Sequence, residues 1–224
     1  MNNFLSKAKG ETWRFLVGHT LVANAATTLL GLANAIVISR SLGPQGRGEL
    51  AATLLWPGLL IYLSSMGLIV AAVYFSAQAT TPPQLLLNNL ITLGLLLSAF
   101  AVPVGFLALP WLLRSQSFDV VHASRWYLAV IPLSLLSQFG LGILQGQLRL
   151  KSVNWLRLII PSGYLIGTIV LLFLQQLTLM NIVAVQLVLN SASLVATFVV
   201  LARRGIHPSF SFDIDVAKRN GATQ

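Results

Sequence analysis

Of the 224 residues, 56% are hydrophobic and only 8% are charged, and the mean hydropathy is strongly positive. A water-soluble domain carries about 25% charged residues, so most of this surface faces a solvent other than water, and lipid is the solvent that fits. The net charge of +9 does not point to nucleic acid: Lys and Arg sit beside apolar runs, as at helix ends near anionic headgroups. With no cysteine, disulfides and Cys-based metal sites are excluded.

The N-terminal fourteen residues are basic and resemble the start of a signal peptide. The apolar run that follows, 15–39, is too long for a signal core and no A-x-A cleavage site closes it convincingly, so it reads as a retained first membrane helix. A charge-free stretch from Leu50 to Leu113 is divided by Thr80-Thr81-Pro82-Pro83-Gln84, which predicts spans at 51–76 and 85–112. The polar segment from Arg114 to Arg125 precedes a fourth span at 126–147. The uncharged run from Leu158 to Ala202 holds two more, at 156–175 and 181–202, leaving 203–224 as a polar tail or linker. Each span reaches the ~20 residues that cross a hydrocarbon core of about 30 Å. The fold expected is an all-α, polytopic bundle of six transmembrane helices.

Trp13, Trp111, Trp126 and Trp155 fall at predicted helix ends, where amphipathic rings favour the interface; Trp56 lies within a span. With the N-terminus in the cytoplasm, ten Lys and Arg residues lie inside, against Arg40, Arg47, Arg114 and Arg125 outside, so both termini are expected to be cytoplasmic. Pro57, Pro103, Pro132 and Pro161 lie in or near the starts of spans, consistent with ordinary kinks or with bent helices that shape a cavity.

Enzymatic chemistry finds little material here. Glu11, Glu49, Asp119, Asp213 and Asp215 all lie outside the long apolar runs, and His19, His122 and His207 are far apart with no ligand spacing. Neither a metal site nor an intramembrane acid–base pair is expected, a proton relay is weakly supported, and no cofactor is implied.

Thr20, Asn24, Thr27, Gly31 and Asn34 recur at spacings of four and three in the first span, which places them in one narrow arc. Two readings compete: close helix packing through small residues, or one wall of a hydrated cavity for a polar, sugar-like ligand. Asn88, Asn89, Gln138, Gln145 and Asn190 are further polar positions, each explicable by an interhelical hydrogen bond. His19 reads as a packing residue before a proton carrier. After the first span, residues Arg40 to Glu49 contain three glycines and a proline, which predicts a specified turn at the membrane edge. Arg40 and Arg47 there either snorkel or attract an anionic headgroup such as a pyrophosphate.

This turn, Arg40-Ser41-Leu42-Gly43-Pro44-Gln45-Gly46-Arg47-Gly48, following an Asn- and Thr-rich helix, resembles the R-x-L-G-P-x-G-x-G signature of polysaccharide-biosynthesis flippases. That family moves O-antigen and other lipid-linked oligosaccharides and shares a superfamily with multidrug exporters. The segment from Leu144 to Asn154 is similar to the family's Q-G-x-x-R-x-x-x-x-N segment between the fourth and fifth helices. The resemblance implies a two-lobe fold with a central cleft, of which this chain corresponds to the N-terminal lobe, so a partial or split gene product is expected. It marks Arg40, Gly43, Pro44, Gly46 and Gly48 as signature residues and implies a polyprenyl-linked glycan as substrate. A second six-helix lobe or a homodimer would supply the other wall. On this reading Arg40, Arg47 and Arg157 are expected to hold phosphate, and Asn24, Asn34 and Gln145 to contact sugar. The rival functions are a multidrug or cation exporter of the same superfamily, which generally needs an acidic residue inside the lobe, and a non-transporting membrane subunit or degenerate remnant.

Overall fold

The structure, a computed structural model, describes residues 13–65, 67–78 and 82–207. Its elements in chain order are α1 (Trp13–Ser65), α2 (Leu68–Gln78), α3 (Pro83–Leu112), α4 (Phe118–Tyr127), α5 (Val130–Gly146), α6 (Leu150–Phe173) and α7 (Leu179–Ala202). Among the described residues there is no strand, and five helical stretches are long and apolar enough to cross a membrane. The chain is an all-α, multi-pass membrane protein. Helices are the form an open chain takes in lipid, because each satisfies its own backbone polar groups.

The expected loop between the first two spans is not a loop. Helical backbone continues on both sides of Gly43, which alone breaks it with φ 68 and ψ −176. The dipeptide encodes this break. Pro44 is suited to the first turn of a helix and disfavours helical backbone in the residue before it. Glycine accepts the positive φ that results. Gly46 and Gly48 are helical, so of the three glycines expected to build a turn, one does. Gly46 has a different reason to lack a side chain: a Cβ there would sit 2.9 Å from Leu42 Cβ. A straight helix of this length would run to about 80 Å, more than twice the hydrocarbon core, and the break lets its two arms return across it.

Other boundaries move for local reasons. The second expected span is divided at Gly67 (φ 79), after which α2 begins. Pro83 starts α3, as a proline at a first helical position can. The polar stretch from Arg114 to Arg125 is mostly helix: α4 begins at Phe118, steps at Leu128 and continues as α5. Arg125 lies in α4 with its guanidinium 4.3 Å from the Phe106 ring centroid, a cation–π contact that lowers the cost of a charge at the apolar edge. The fifth span begins at Leu150, so Arg157 is within a helix rather than near its start.

Helix α5 forms the centre. In its most apolar 18-residue window the stretch from Phe118 to Gly146 is 56% buried, against 33% or less for the others, and Ile131, Leu135, Phe139 and Ile143 are fully enclosed. Lipid gives helices no hydrophobic reason to associate, so close contact and interhelical hydrogen bonds carry the packing. Ser76 donates to the Ile143 carbonyl at 2.9 Å, and the Ser137 and Ser193 hydroxyls meet at 3.2 Å. Gly146 brings α5 against α2: a Cβ there would collide with the Val73 carbonyl and stand 2.7 Å from Ser76 Cβ. Leu107, Phe100 and Phe173 point outward and are more than 70% exposed, as suits side chains in lipid.

The contacts also sort the helix ends. His19 meets Asn154 near the start of α6, whereas Ile38 and Leu50, on either side of the break in α1, pack with Ile182 beside Leu171 and Leu177. The first arm of α1 and α6 therefore run parallel, with the Gly43 break at the end that also holds the α6–α7 turn.

Replacing Gly146 with Val should destabilise the protein by about 1–3 kcal/mol through overpacking. Gly48→Ala meets only open space and should be neutral or stabilising by up to about 1 kcal/mol. Thermal unfolding of both variants in detergent checks the contrast.

Candidate functional site

The polar residues of the first arm of α1 divide into three environments. At one end, the Asn154 amide nitrogen lies 3.0 Å from His19 Nδ1 and donates to Thr20 Oγ1 at 3.2 Å. Asn154 is buried, so this cluster ties α1 to α6 where both begin. One turn further into α6, Arg157 donates to Gln145 Oε1 at 3.0 Å, linking α6 to the end of α5 on an exposed surface.

Asn24, Thr27, Thr28 and Gly31 form the second environment, facing outward from the bundle. Thr27 and Thr28 return their hydroxyls to the carbonyls of Ala23 and Asn24. Asn24 has no such escape; its carboxamide has no hydrogen-bond partner among the described residues. An exposed carboxamide in a membrane span is costly in hydrocarbon and comfortable only against water or another polar surface.

The third is enclosed. Asn34 turns inward toward α6 and α7, and the Tyr164 hydroxyl lies against the side chains of Gln186 and Asn34. Asn190 donates to the Gln186 carbonyl at 2.8 Å. Asn34 Oδ1, the Tyr164 hydroxyl and Thr168 Oγ1 nevertheless complete no hydrogen bond within the described residues. Each such buried atom costs about 1–3 kcal/mol, so a hydroxyl group or water reaching this cluster would relieve a real deficit.

At the far end, Arg40 and Arg47 flank the Gly43 break and are exposed. Glu49 accepts from Gln45 at 3.1 Å, one helical turn away. The expected site residues are thus not gathered in one place. Gln145 and Arg157 touch each other, Asn34 is buried, Asn24 faces out, and Arg40 and Arg47 stand at the opposite end. The roughly twenty residues between Thr20 and Arg40 rise about 30 Å, so one phosphate cannot meet Arg157 and Arg40 together. The polar arc of the first arm likewise splits: its ends are absorbed by packing and only Asn24, Thr27 and Gly31 face outward.

A polar face on a kinked first helix, a Gly-Pro break and a basic corner before α6 are the features by which the chain compares with known proteins. The model of the family described as polysaccharide biosynthesis protein matches residues 17–220. The chain belongs to the polysaccharide biosynthesis protein family. Comparison with curated proteins and with solved structures returns no match. Within the family match, both motifs acquire physical roles: the first sets the break between two arms of one helix, and the second ends on Asn154, which joins α6 to α1.

Sequence reasoning quoted Asn154 as a motif residue without assigning it a partner, and it passed over Tyr164, Thr168 and Gln186. Gln186 and Asn190 share a helix face at a spacing of four, which is a usable signal. Tyr164 and Thr168 carry none, since single hydroxyls in apolar spans are ordinary.

Gly43→Ala should cost about 1–3 kcal/mol, because φ 68 with ψ −176 is a backbone conformation that only glycine enters freely, although space around it is open. Asn154→Leu should cost a similar ~1–2 kcal/mol by removing both bonds to α1. Melting temperatures in detergent check both.

Proposed function

We propose that this chain is the N-terminal lobe of a flippase that carries polyprenyl-linked oligosaccharide or polysaccharide precursors across the cell membrane, with both termini in the cytoplasm. The observation that carries this reading is the outward polar face of the first arm of α1, where Asn24 within a span lacks a hydrogen-bond partner among the described residues. A wall of this kind suits a hydrated cleft in which a glycan crosses while its polyprenyl tail stays in lipid. The opposite wall comes from a second six-helix lobe or a second copy of this chain.

The separation of the cationic groups fits transport better than static binding. Arg157, held by Gln145, is a phosphate station at the cytoplasmic end, and Arg40 with Arg47 is a station at the far end. Asn24 and Asn34 lie between them and offer amides to sugar hydroxyls, with Tyr164 and Thr168 behind Asn34. A lobe that rocks against its partner would pass a headgroup from one station to the other, with Gly43 and Gly67 as the places where α1 and α2 can bend. Translocation makes and breaks no covalent bond, so the reading is of a transporter and not an enzyme. A cation exporter is less well supported, because neither described carboxylate, Glu49 or Asp119, lies inside the lobe.

Asn24→Leu and Arg47→Ala should each reduce glycan export in cells by about tenfold, equivalent to ~1.4 kcal/mol of headgroup interaction. Leu29→Ala on the same exposed helix should leave export unchanged. Surface-glycan labelling, normalised to the amount of folded protein in the membrane, is the measurement. Full export by both polar variants would overturn the proposal.

A further inference from the structure

A second cationic feature, at the corner between α5 and α6, does not depend on the transport reading. Helices α5 and α6 meet in a corner at Gln147–Arg149, where Leu148 takes the left-handed backbone (φ 57) that a branched side chain rarely adopts. The corner is fixed by Leu148 N–H to Gln145 O and Arg149 N–H to Leu144 O, both 2.9 Å. It is further held by Gly146, whose missing side chain lets α5 lie on α2. Beyond α7, Gly205 (φ 77) turns the chain, and Ile206 returns into the main core while its N–H bonds Leu201 O at 3.2 Å. Two anchored turns thus carry Arg149 and Arg204 on the same end of the bundle. Arg204 reaches across to Ser152 Oγ at 3.4 Å.

Among the described residues these guanidiniums are not set against acid. The described carboxylates are Glu49 and Asp119, and both belong to the other end: Glu49 follows the Gly43 break, and Asp119 borders a shallow recess with Thr178 and Met180. Partial burial and, after it, the charge of Arg149 push the Arg204 guanidinium below the ordinary arginine value, as expected when like charges are held together. Strained or tightly anchored backbone that places two like charges beside a hydroxyl is costly unless something of opposite sign completes it.

We infer that Arg149, Ser152 and Arg204 form a binding site for one phosphate headgroup of an anionic membrane phospholipid at the edge of the bundle. Both guanidiniums offer N–H donors to phosphate oxygens, and Ser152, which accepts from Arg204, keeps its own hydroxyl proton free to donate. The site lies where the spans end, the depth of a lipid phosphate, and its position between helix ends is the geometry of a basic headgroup pocket. Free phosphate shares this chemistry, but it lacks acyl chains to rest on the apolar flanks of the bundle.

The test uses the full chain in a mild zwitterionic detergent, titrated with phosphatidylglycerol, with phosphatidylcholine, or with inorganic phosphate, and read as melting temperature and as lipid retained in native mass spectrometry. The wild type should be stabilised by phosphatidylglycerol and not by phosphatidylcholine, and should retain one phosphatidylglycerol. Arg149→Gln and Arg204→Gln should each weaken that apparent affinity about tenfold, and Ser152→Ala about threefold. Arg203→Gln and Arg114→Gln, which remove the same charge elsewhere, should change it less than twofold. An equal loss in Arg203→Gln would replace the site with a diffuse basic patch and overturn the inference. Equal stabilisation by millimolar inorganic phosphate would overturn the assignment to lipid. If the glutamine variants fail to fold, Arg149→Lys keeps the charge; retention of no phosphatidylglycerol by the wild type overturns the proposal without any variant.

Discussion

Lipid cannot hydrogen-bond, and the rest of this structure depends on that. A backbone amide or side-chain carboxamide that leaves water for hydrocarbon must find a partner within the protein or forfeit several kcal/mol. Helical backbone throughout the spans meets the demand for the main chain. For side chains it is met piecemeal: Thr27, Thr28 and Thr53 bond back to their own helix, Ser76 and Ser137 bond across helices, and Asn154 gathers His19 and Thr20. Where the demand is not met, at Asn24 on the outside and at Asn34, Tyr164 and Thr168 within, the molecule has polar capacity left for something else.

The same constraint explains how the bundle coheres. Apolar side chains gain little from leaving lipid for a protein interior, so contact distance decides. Helix α5 occupies the centre because Gly140 and Gly146 let α7 and α2 approach to where a side chain would collide, and Gly142 leaves α2 in close contact. The hydroxyl bonds from Ser76 and Ser137 then form across the gaps those glycines close. Two arginines within helices have polar or aromatic partners: Arg125 lies on the face of Phe106, and Arg157 donates to Gln145.

Membership of the polysaccharide biosynthesis protein family gives the two motifs a shared logic. Gly43 and Pro44 convert one long helix into two arms, and Gly46 lets the second arm start close to the end of the first. The segment from Gln145 to Asn154 fixes the other end, through Gln145 to Arg157 and Asn154 to α1. Between these fixed ends α1 keeps an outward face that is partly polar, with an enclosed polar cluster behind it.

Much of the fold was legible in the residues themselves. Hydrocarbon thickness and helix rise are constants, so uncharged runs longer than ~20 residues imply spans without reference to neighbours. Proline and glycine marked the interruptions at Gly43-Pro44 and before Pro83, because their backbone preferences are local. What remained hidden was whatever depends on which helix lies beside which. The Arg40–Glu49 stretch read as a turn from its glycines, yet helix continues through it, since only Gly43 must leave the helical region once Pro44 begins a new arm. Helix geometry alone puts Thr20 to Asn34 in one arc, but only packing could send Thr20 to Asn154, Asn34 to Tyr164 and Asn24 outward. Arg40 and Arg157 had equal standing as phosphate ligands in the sequence; the tertiary arrangement sets them at opposite ends, because a helix converts separation along the chain into distance across the membrane. Composition and local propensity determined that this chain is a helical membrane protein. Its three-dimensional packing alone decided which of its polar groups are spent on holding it together and which are left to act.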